Sequence, residues 1–169
     1  NKKWIDMKNK ILILFIMVLV VALSGCISSD ASNIDGLAPS INSHLKSGDI
    51  MYNQSAIDVN QFKYTQALAE CDNATSEFNS AKSSANSGLS YAKNSNDNVY
   101  VNYMQYVVSE LDAKLNATTE LETAISYLQK NDSVNANNHI TLANGYMDKA
   151  TEYKTERDNI VLQNPSKFK

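Results

Sequence analysis

The chain has 169 residues, enough for one domain, with 15 basic and 18 acidic residues. The first 25 residues hold four lysines and one aspartate, which leaves 11 basic and 17 acidic residues and a net charge near −6 for the remainder. Such an acidic body lacks the basic face that nucleic-acid binding needs, so we expect no nucleic-acid partner. Five Gly and two Pro, with abundant Ala, Ser and Asn, favour helices joined by short polar turns over a many-stranded sheet.

The chain opens with a basic segment followed by an apolar one. Residues 7–10 read Met-Lys-Asn-Lys, and the thirteen residues 11–23 contain no polar side chain. Thirteen helical residues reach about 20 Å, which is short for a bilayer core of about 30 Å but typical of the apolar part of a signal peptide. We therefore predict a signal peptide over residues 1–25, with Met7 as an alternative start.

The apolar run ends in Leu23, Ser24, Gly25 and Cys26. This motif resembles the lipobox of prokaryotic lipoproteins. The resemblance implies cleavage before Cys26, a thioether lipid on Cys26, and a protein held by membrane lipid at the outer face of the cell membrane. An uncleaved signal anchor extending through Ile27 is the alternative. Both readings leave the body outside, because the flanking lysines stay cytoplasmic.

Residues 26–36 combine Cys26 with the stretch ISSDASNID, which is polar and has no period. We predict a flexible tether here, since such a composition buries no core. With its leader and its abundant Asn, Lys, Ile and Tyr, the chain resembles the small lipoproteins of methanogenic archaea. That resemblance implies a location but no function.

Residues 37–164 carry helical periodicity, and residues 165–169 form a short C-terminal tail. From Tyr64 to Ala92 a row of larger residues recurs every seven positions beside a row of small ones, and this 3-4 alternation places both rows on one helix face. A preceding helix over residues 37–59 is weaker, because Gly48 and Asp49 could split it. In the next helix Lys114 and Thr118 interrupt the apolar stripe, where we expect the edge of the bundle.

Two segments repeat the same spacing 69 residues apart. Ala67, Ala74 and Ala81 correspond to Ala136, Ala143 and Ala150, with larger residues between them. The spacing around Tyr127, Ala136, Ile140 and Ala143 resembles the second helix of a tetratricopeptide repeat, although the helices are longer than that repeat allows. We predict an all-α fold: an elongated antiparallel bundle of three to four long helices in two hairpins. A solenoid-like pair of hairpins is the alternative.

The sequence contains no constellation typical of catalysis or of metal or cofactor binding. His44 and His139 have no second His or Glu at ligand spacing, and Cys71 lies on the apolar stripe without a cationic neighbour in sequence to activate it. Gly-rich phosphate loops and a nucleophile elbow are missing. We expect a protein that is not an enzyme.

Two surface features remain as candidates. A cluster of tyrosines lies near residue 100, and Tyr103 and Tyr106 are the pair we expect to be partly exposed for binding; interhelix packing is the alternative. Four N-x-Ser/Thr sequons offer sites for N-glycosylation. Their acceptor residues are Asn53, Asn73, Asn116 and Asn131.

These observations predict a non-catalytic binding or scaffolding domain held at the cell surface. Its partner would be an envelope protein or a second copy of the chain. One alternative is a structural spacer of the envelope that oligomerises; another is a receptor for a small ligand or sugar.

Overall fold

A computed structural model describes residues 32–168, and the fold in this range is a bundle of four long helices without strands. The helices are α1 (residues 32–60), α2 (Tyr64–Asn94), α3 (Asn98–Gln129) and α4 (Ser133–Gln163). Each of α2, α3 and α4 has 31 or 32 residues, so one helix nearly equals a whole tetratricopeptide repeat of about 34 residues. The predicted elongated antiparallel bundle of two hairpins is confirmed.

Helix α1 is longer than the sequence pattern predicted. It includes residues 32–36, which we had assigned to the tether, because Ile34 is only 5% exposed and packs into the core. The helix also continues through Gly48 without a break. The aromatic ring of Phe78 in α2 lies directly against Gly48, in the space that a side chain would fill. The glycine is therefore a packing position and not a helix end.

Helix α2 buries one continuous seam. Its buried residues alternate at spacings of four and three, which confirms the two predicted rows. Small residues in this seam let the neighbouring backbones approach closely. The seam consists of Ala67, Cys71, Ala74, Phe78, Ala81, Ala85, Gly88 and Ala92.

Helix α3 packs against α1, α2 and α4, and its buried arc is correspondingly wide. The expectation that Lys114 and Thr118 mark the bundle's edge is wrong, because both are buried. The Lys114 ammonium pairs with the Asp49 carboxylate of α1 at 2.5 Å. The Thr118 hydroxyl donates to the Lys114 carbonyl at 2.9 Å. Each polar group thus has a partner within the protein.

Helix α4 fully buries only three alanines, Ala136, Ala143 and Ala150. Ile140 and Met147 lie beside this row and are half-buried. Helix α3 buries small side chains of its own in Ala113, Ala117 and Ala124. The α3–α4 contact therefore rests largely on small side chains and close backbone approach.

The three turns between helices share one backbone design. Each contains a residue with positive φ directly before the N-cap of the next helix: Phe62 (59°), Asn96 (53°) and Asn131 (60°). In the second and third turns the next residue is an aspartate, Asp97 or Asp132, whose side chain accepts a backbone hydrogen bond and caps α3 or α4. The first turn instead places Lys63 at the cap, with no side-chain hydrogen bond.

The C-terminal tail folds back onto the start of α3. The Tyr100 hydroxyl donates to the Lys167 carbonyl at 2.5 Å, and the Lys167 ammonium pairs with Asp97. The ring of Phe168 packs against Tyr100 and Tyr103 at centroid distances of 5.2 and 4.9 Å. This end of the bundle also contains the first turns of α1, since Ile34 and Phe168 line the same cavity.

Candidate functional site

The predicted lipidation site lies outside the described residues. Leu23, Ser24, Gly25 and Cys26 all precede residue 32, the first residue that the structure describes. The nearest described feature is the start of α1, at the same end of the bundle as the C-terminal tail. Any lipid on Cys26 would therefore hold this end of the bundle towards the membrane.

In the structure Tyr103 and Tyr106 have different neighbours and line different cavities. Both are half-buried. Tyr103 faces the tail and packs against Phe168, whereas the ring of Tyr106 lies 6.3 Å from that of Tyr153 on α4. The two tyrosines therefore belong to separate surfaces and do not form one continuous patch.

Tyr106 lines an open groove of about 690 Å³ on the outer face of α3, between α2 and α4. Its walls combine amide and hydroxyl side chains with a few apolar ones. Such a mixture offers hydrogen bonds to a polar partner and flat apolar area to its less polar parts. The lining comprises Leu89, Asn102, Gln105, Tyr106, Val108, Ser109, Glu156, Asn159, Ile160 and Gln163.

Tyr103 lines a much smaller cavity of about 60 Å³, between α1, α3, α4 and the tail. Its walls are mostly apolar, and Phe168 covers it. Burial raises the pKa of Tyr103 against the opposing effect of nearby Arg157. This hydroxyl therefore stays protonated at neutral pH.

Arg157 also belongs to a buried cluster of charges. Its Nη1 approaches the Glu110 carboxylate to 2.9 Å, and Lys114 lies 4.0 Å from the same carboxylate. Although Nη1 of Arg157 lies this close, Oε2 of Glu110 receives no hydrogen bond from the described residues. Burial raises the pKa of Glu110, although Arg157 and Lys114 act to lower it. The cluster joins α3 to α4 in a nearly dry environment.

Our reading of the sequence missed this ion pair, although its spacing was visible. Arg157 continues the row of Ala136, Ala143 and Ala150 at the next interval of seven. Glu110 likewise precedes Ala117 and Ala124 at intervals of seven. Opposite charges at matching ends of two small-residue rows would have indicated both the partner helix and its register.

The histidines and the cysteine have structural partners. His44 pairs with Glu77 at 2.7 Å across the first hairpin, and His139 pairs with Glu120 at 2.6 Å across the second. Cys71 is fully buried, with its sulfur 3.1 Å from the Ser55 hydroxyl. Burial raises the pKa of Cys71 to about 11, so its unreactive thiol state is the dominant one.

The four sequons fall in different surroundings. Asn53, Asn73 and Asn116 lie within helices, and Asn131 lies in the turn between α3 and α4. All four asparagine side chains are exposed. The accompanying Ser or Thr residues differ in exposure: Ser55 and Thr118 are buried, Thr75 is half-buried and Ser133 is exposed.

Within residues 32–168, no helix is long and apolar enough to cross a membrane. The same residues contain no group of three or more His, Cys, Asp or Glu side chains arranged to hold a metal ion. The chain matches no protein-family model, no curated protein and no solved structure.

Proposed function

We propose that this chain is a membrane-anchored extracytoplasmic lipoprotein whose helical bundle binds or scaffolds a partner without catalysing a reaction. One observation carries the proposal: a basic start and thirteen apolar residues lead directly into Leu23, Ser24, Gly25 and Cys26. An apolar run of this length suits a signal peptide better than a membrane span. The lipid on Cys26 then retains the exported domain at the membrane.

The groove beside Tyr106 supports the binding role. It is open, about 690 Å³ in volume, and lined by amide side chains together with Tyr106 and Ile160. The buried carboxylate of Glu110, in contrast, pairs with Arg157 inside the bundle. Its partner lies on the neighbouring helix, and Glu110 does not line the groove.

Intact mass of the membrane-extracted protein tests the anchor. The expected mass is that of residues 26–169 plus lipid, and a Cys26→Ala variant should remain unprocessed or be released from the membrane. A wild-type chain that keeps residues 7–25 and carries no lipid would instead be a transmembrane-anchored protein, and the lipoprotein proposal would fail.

Affinity purification of envelope proteins with the full-length protein as bait tests whether the groove binds a partner. Tyr106→Ala should reduce recovery of a partner that wild type enriches, because it removes the largest side chain in the groove. Tyr64→Ala is the matched control, since Tyr64 is also half-buried but begins α2 at the opposite end of the bundle. Equal recovery by both variants would exclude the groove as the binding surface.

A structural spacer that oligomerises is the second candidate. Ile50 and Ile57 lie seven residues apart on α1 and are 59% and 47% exposed. Two such side chains on one helix face favour contact with another copy. Sedimentation velocity over a range of concentrations should then reveal an oligomer that Ile57→Gln weakens.

A further inference from the structure

The structure divides the four sequons into two kinds. Asn53, Asn73 and Asn116 lie in helices whose backbone is held in the helical hydrogen-bond ladder. A glycosyltransferase has to recognise the asparagine together with the Ser or Thr hydroxyl two residues later. An accessible asparagine alone is therefore insufficient for glycosylation, and the accessibility of the hydroxyl decides whether a sequon can be modified.

The hydroxyl groups of the three helical sequons are already engaged. Those of Ser55 and Thr118 are fully buried, and each donates to a backbone carbonyl at 2.9 Å. Thr75 is half-buried and its side chain hydrogen-bonds to Glu122 of the neighbouring helix. Part of the bundle would have to unfold before a glycosyltransferase could bind any of these three sites.

The fourth sequon is presented differently. Asn131 and Ser133 are both exposed, and Asn131 has φ of 60° in the turn before α4 begins. The turn lies at the end of the bundle away from the start of α1, because α1 and α3 run parallel: their first turns line the same cavity, and Asp49 pairs with Lys114 between their middles. At about 1.5 Å per helical residue, the 29 residues 32–60 separate these ends by roughly 43 Å.

We propose that Asn131 carries an N-linked glycan at the membrane-distal tip of the bundle. The donor class is a polyprenyl-linked glycosyl diphosphate. The bond between sugar C1 and the phosphate oxygen breaks, and the polyprenyl diphosphate leaves with its electron pair. A bond from C1 to Nδ2 of Asn131 forms, and Nδ2 passes one proton to a base of the transferase. The inference rests on the proposed function, since it requires the domain to be exported.

The test is intact mass and peptide mapping of full-length protein from its native host. Wild type should carry one glycan, which Asn131→Gln and Ser133→Ala should each remove completely. Ser133→Thr keeps a hydroxyl and should retain the glycan, and so should Asn116→Gln, the matched control in a helical sequon. Thermal unfolding of Ser133→Ala shows whether its helix start is intact.

Two results would overturn the inference: a wild-type chain without glycan, or a glycan that persists in Asn131→Gln. The same spectrum reports on the leader, so the two proposals fail separately. A lipidated chain from residue 26 without glycan refutes glycosylation alone. A chain that retains residues 7–25 and carries glycan at Asn131 refutes lipidation alone.

Discussion

Helices α2 and α4 carry the same spacing of small and large residues but bury it to different extents. The alanine rows of both helices are buried. Cys71 and Phe78, in the larger row of α2, have no exposed area, whereas their counterparts Ile140 and Met147 in α4 are only half-buried. Spacing alone therefore predicts which residues face the bundle, but not how completely they are covered.

The partner helix accounts for this difference. On the α2 side, α1 presents Gly48 to the ring of Phe78, which lets the two helices close around it. On the α4 side, a gap of about 370 Å³ separates α1 from α4, with Tyr52 and Val59 on one wall and Ile140 and Met147 on the other. Gly48 thus lies in a sealed interface, whereas the contact between α1 and α4 stays open.

The largest expected effect contrasts the two central large residues. Phe78→Ala should lower the free energy of unfolding by about 3–5 kcal/mol, because it leaves a cavity in a sealed interface. Met147→Ala should lower it by only about 1 kcal/mol, since part of that side chain is already in water. Urea denaturation of both variants measures the difference; losses of equal size would show that the two interfaces are equally packed.

Substitution of glycines sharpens the same contrast. A Cβ at Gly48 would lie less than 3.0 Å from three atoms of the Phe78 ring, so Gly48→Ala should destabilise the fold by about 1–3 kcal/mol. Gly145 on α4 has no atom within 4 Å of an added Cβ. Gly145→Ala should therefore stabilise by about 0.5–1 kcal/mol, through helix propensity alone.

A double variant provides the control for this pair. If the clash with the ring is the cause, Phe78→Leu should lessen the loss from Gly48→Ala, and the two changes should be non-additive. A fully additive result in chemical denaturation would contradict direct contact between the two positions.

Substitutions in the first turn should have a smaller effect and should raise the free energy of unfolding. Phe62→Asn should stabilise the protein by about 1 kcal/mol, because Asn tolerates positive φ better than a bulky aromatic residue. Lys63→Asp should add about 1 kcal/mol by supplying the cap that Asp97 and Asp132 provide in the other turns. Thermal unfolding measures both changes; a loss of stability in Phe62→Asn would show that its 79%-exposed ring makes a compensating contact.

The smallest expected effects concern pH. Because burial raises the folded-state pKa of Glu110 above its usual 4.5, this group's contribution to stability is greatest below pH 4.5 and is lost as pH rises through the folded value. Glu110→Gln should therefore gain stability relative to wild type as pH increases from 4.5 towards neutrality. Unfolding free energies measured across this range test the slope, and a constant difference would contradict it.

Asp97 should show the opposite slope. Burial opposes ionisation, but hydrogen bonds from Lys167 and the Val99 amide lower the pKa of Asp97 below its usual 3.8. Its contribution is present above pH 3.8 and is lost as pH falls through the folded value. Asp97→Asn should thus lose stability relative to wild type as pH rises through this range, and its loss should vanish in strong acid.

The predictions from sequence succeeded where the pattern is local. The 3-4 rows of α2 and the short polar turns between the helices each depend on residues close together in the chain. The pattern was misleading at Lys114 and Thr118, whose polarity indicated an edge although they lie in the interior. Their burial depends on partners distant in sequence, namely Asp49 for Lys114, and on a third helix packed against α3.

The candidate sites also combine features that are visible in the sequence with features that only the fold determines. Each sequon is legible in the sequence, but only the packed fold distinguishes the buried hydroxyl of Thr118 from the exposed one of Ser133. The tyrosine cluster was likewise visible, whereas the separation of Tyr103 from Tyr106 follows from how α4 and the tail lie against α3.

For this protein the sequence by itself determined the helical class, the polar turns and the buried seam of α2, because periodicity and turn chemistry act within a few residues. Only the tertiary structure decided which faces are sealed, where the Glu110 carboxylate meets Arg157, and which sequon stays accessible. Those outcomes depend on the distance between helices, which small residues such as Gly48 set through contacts that span much of the chain.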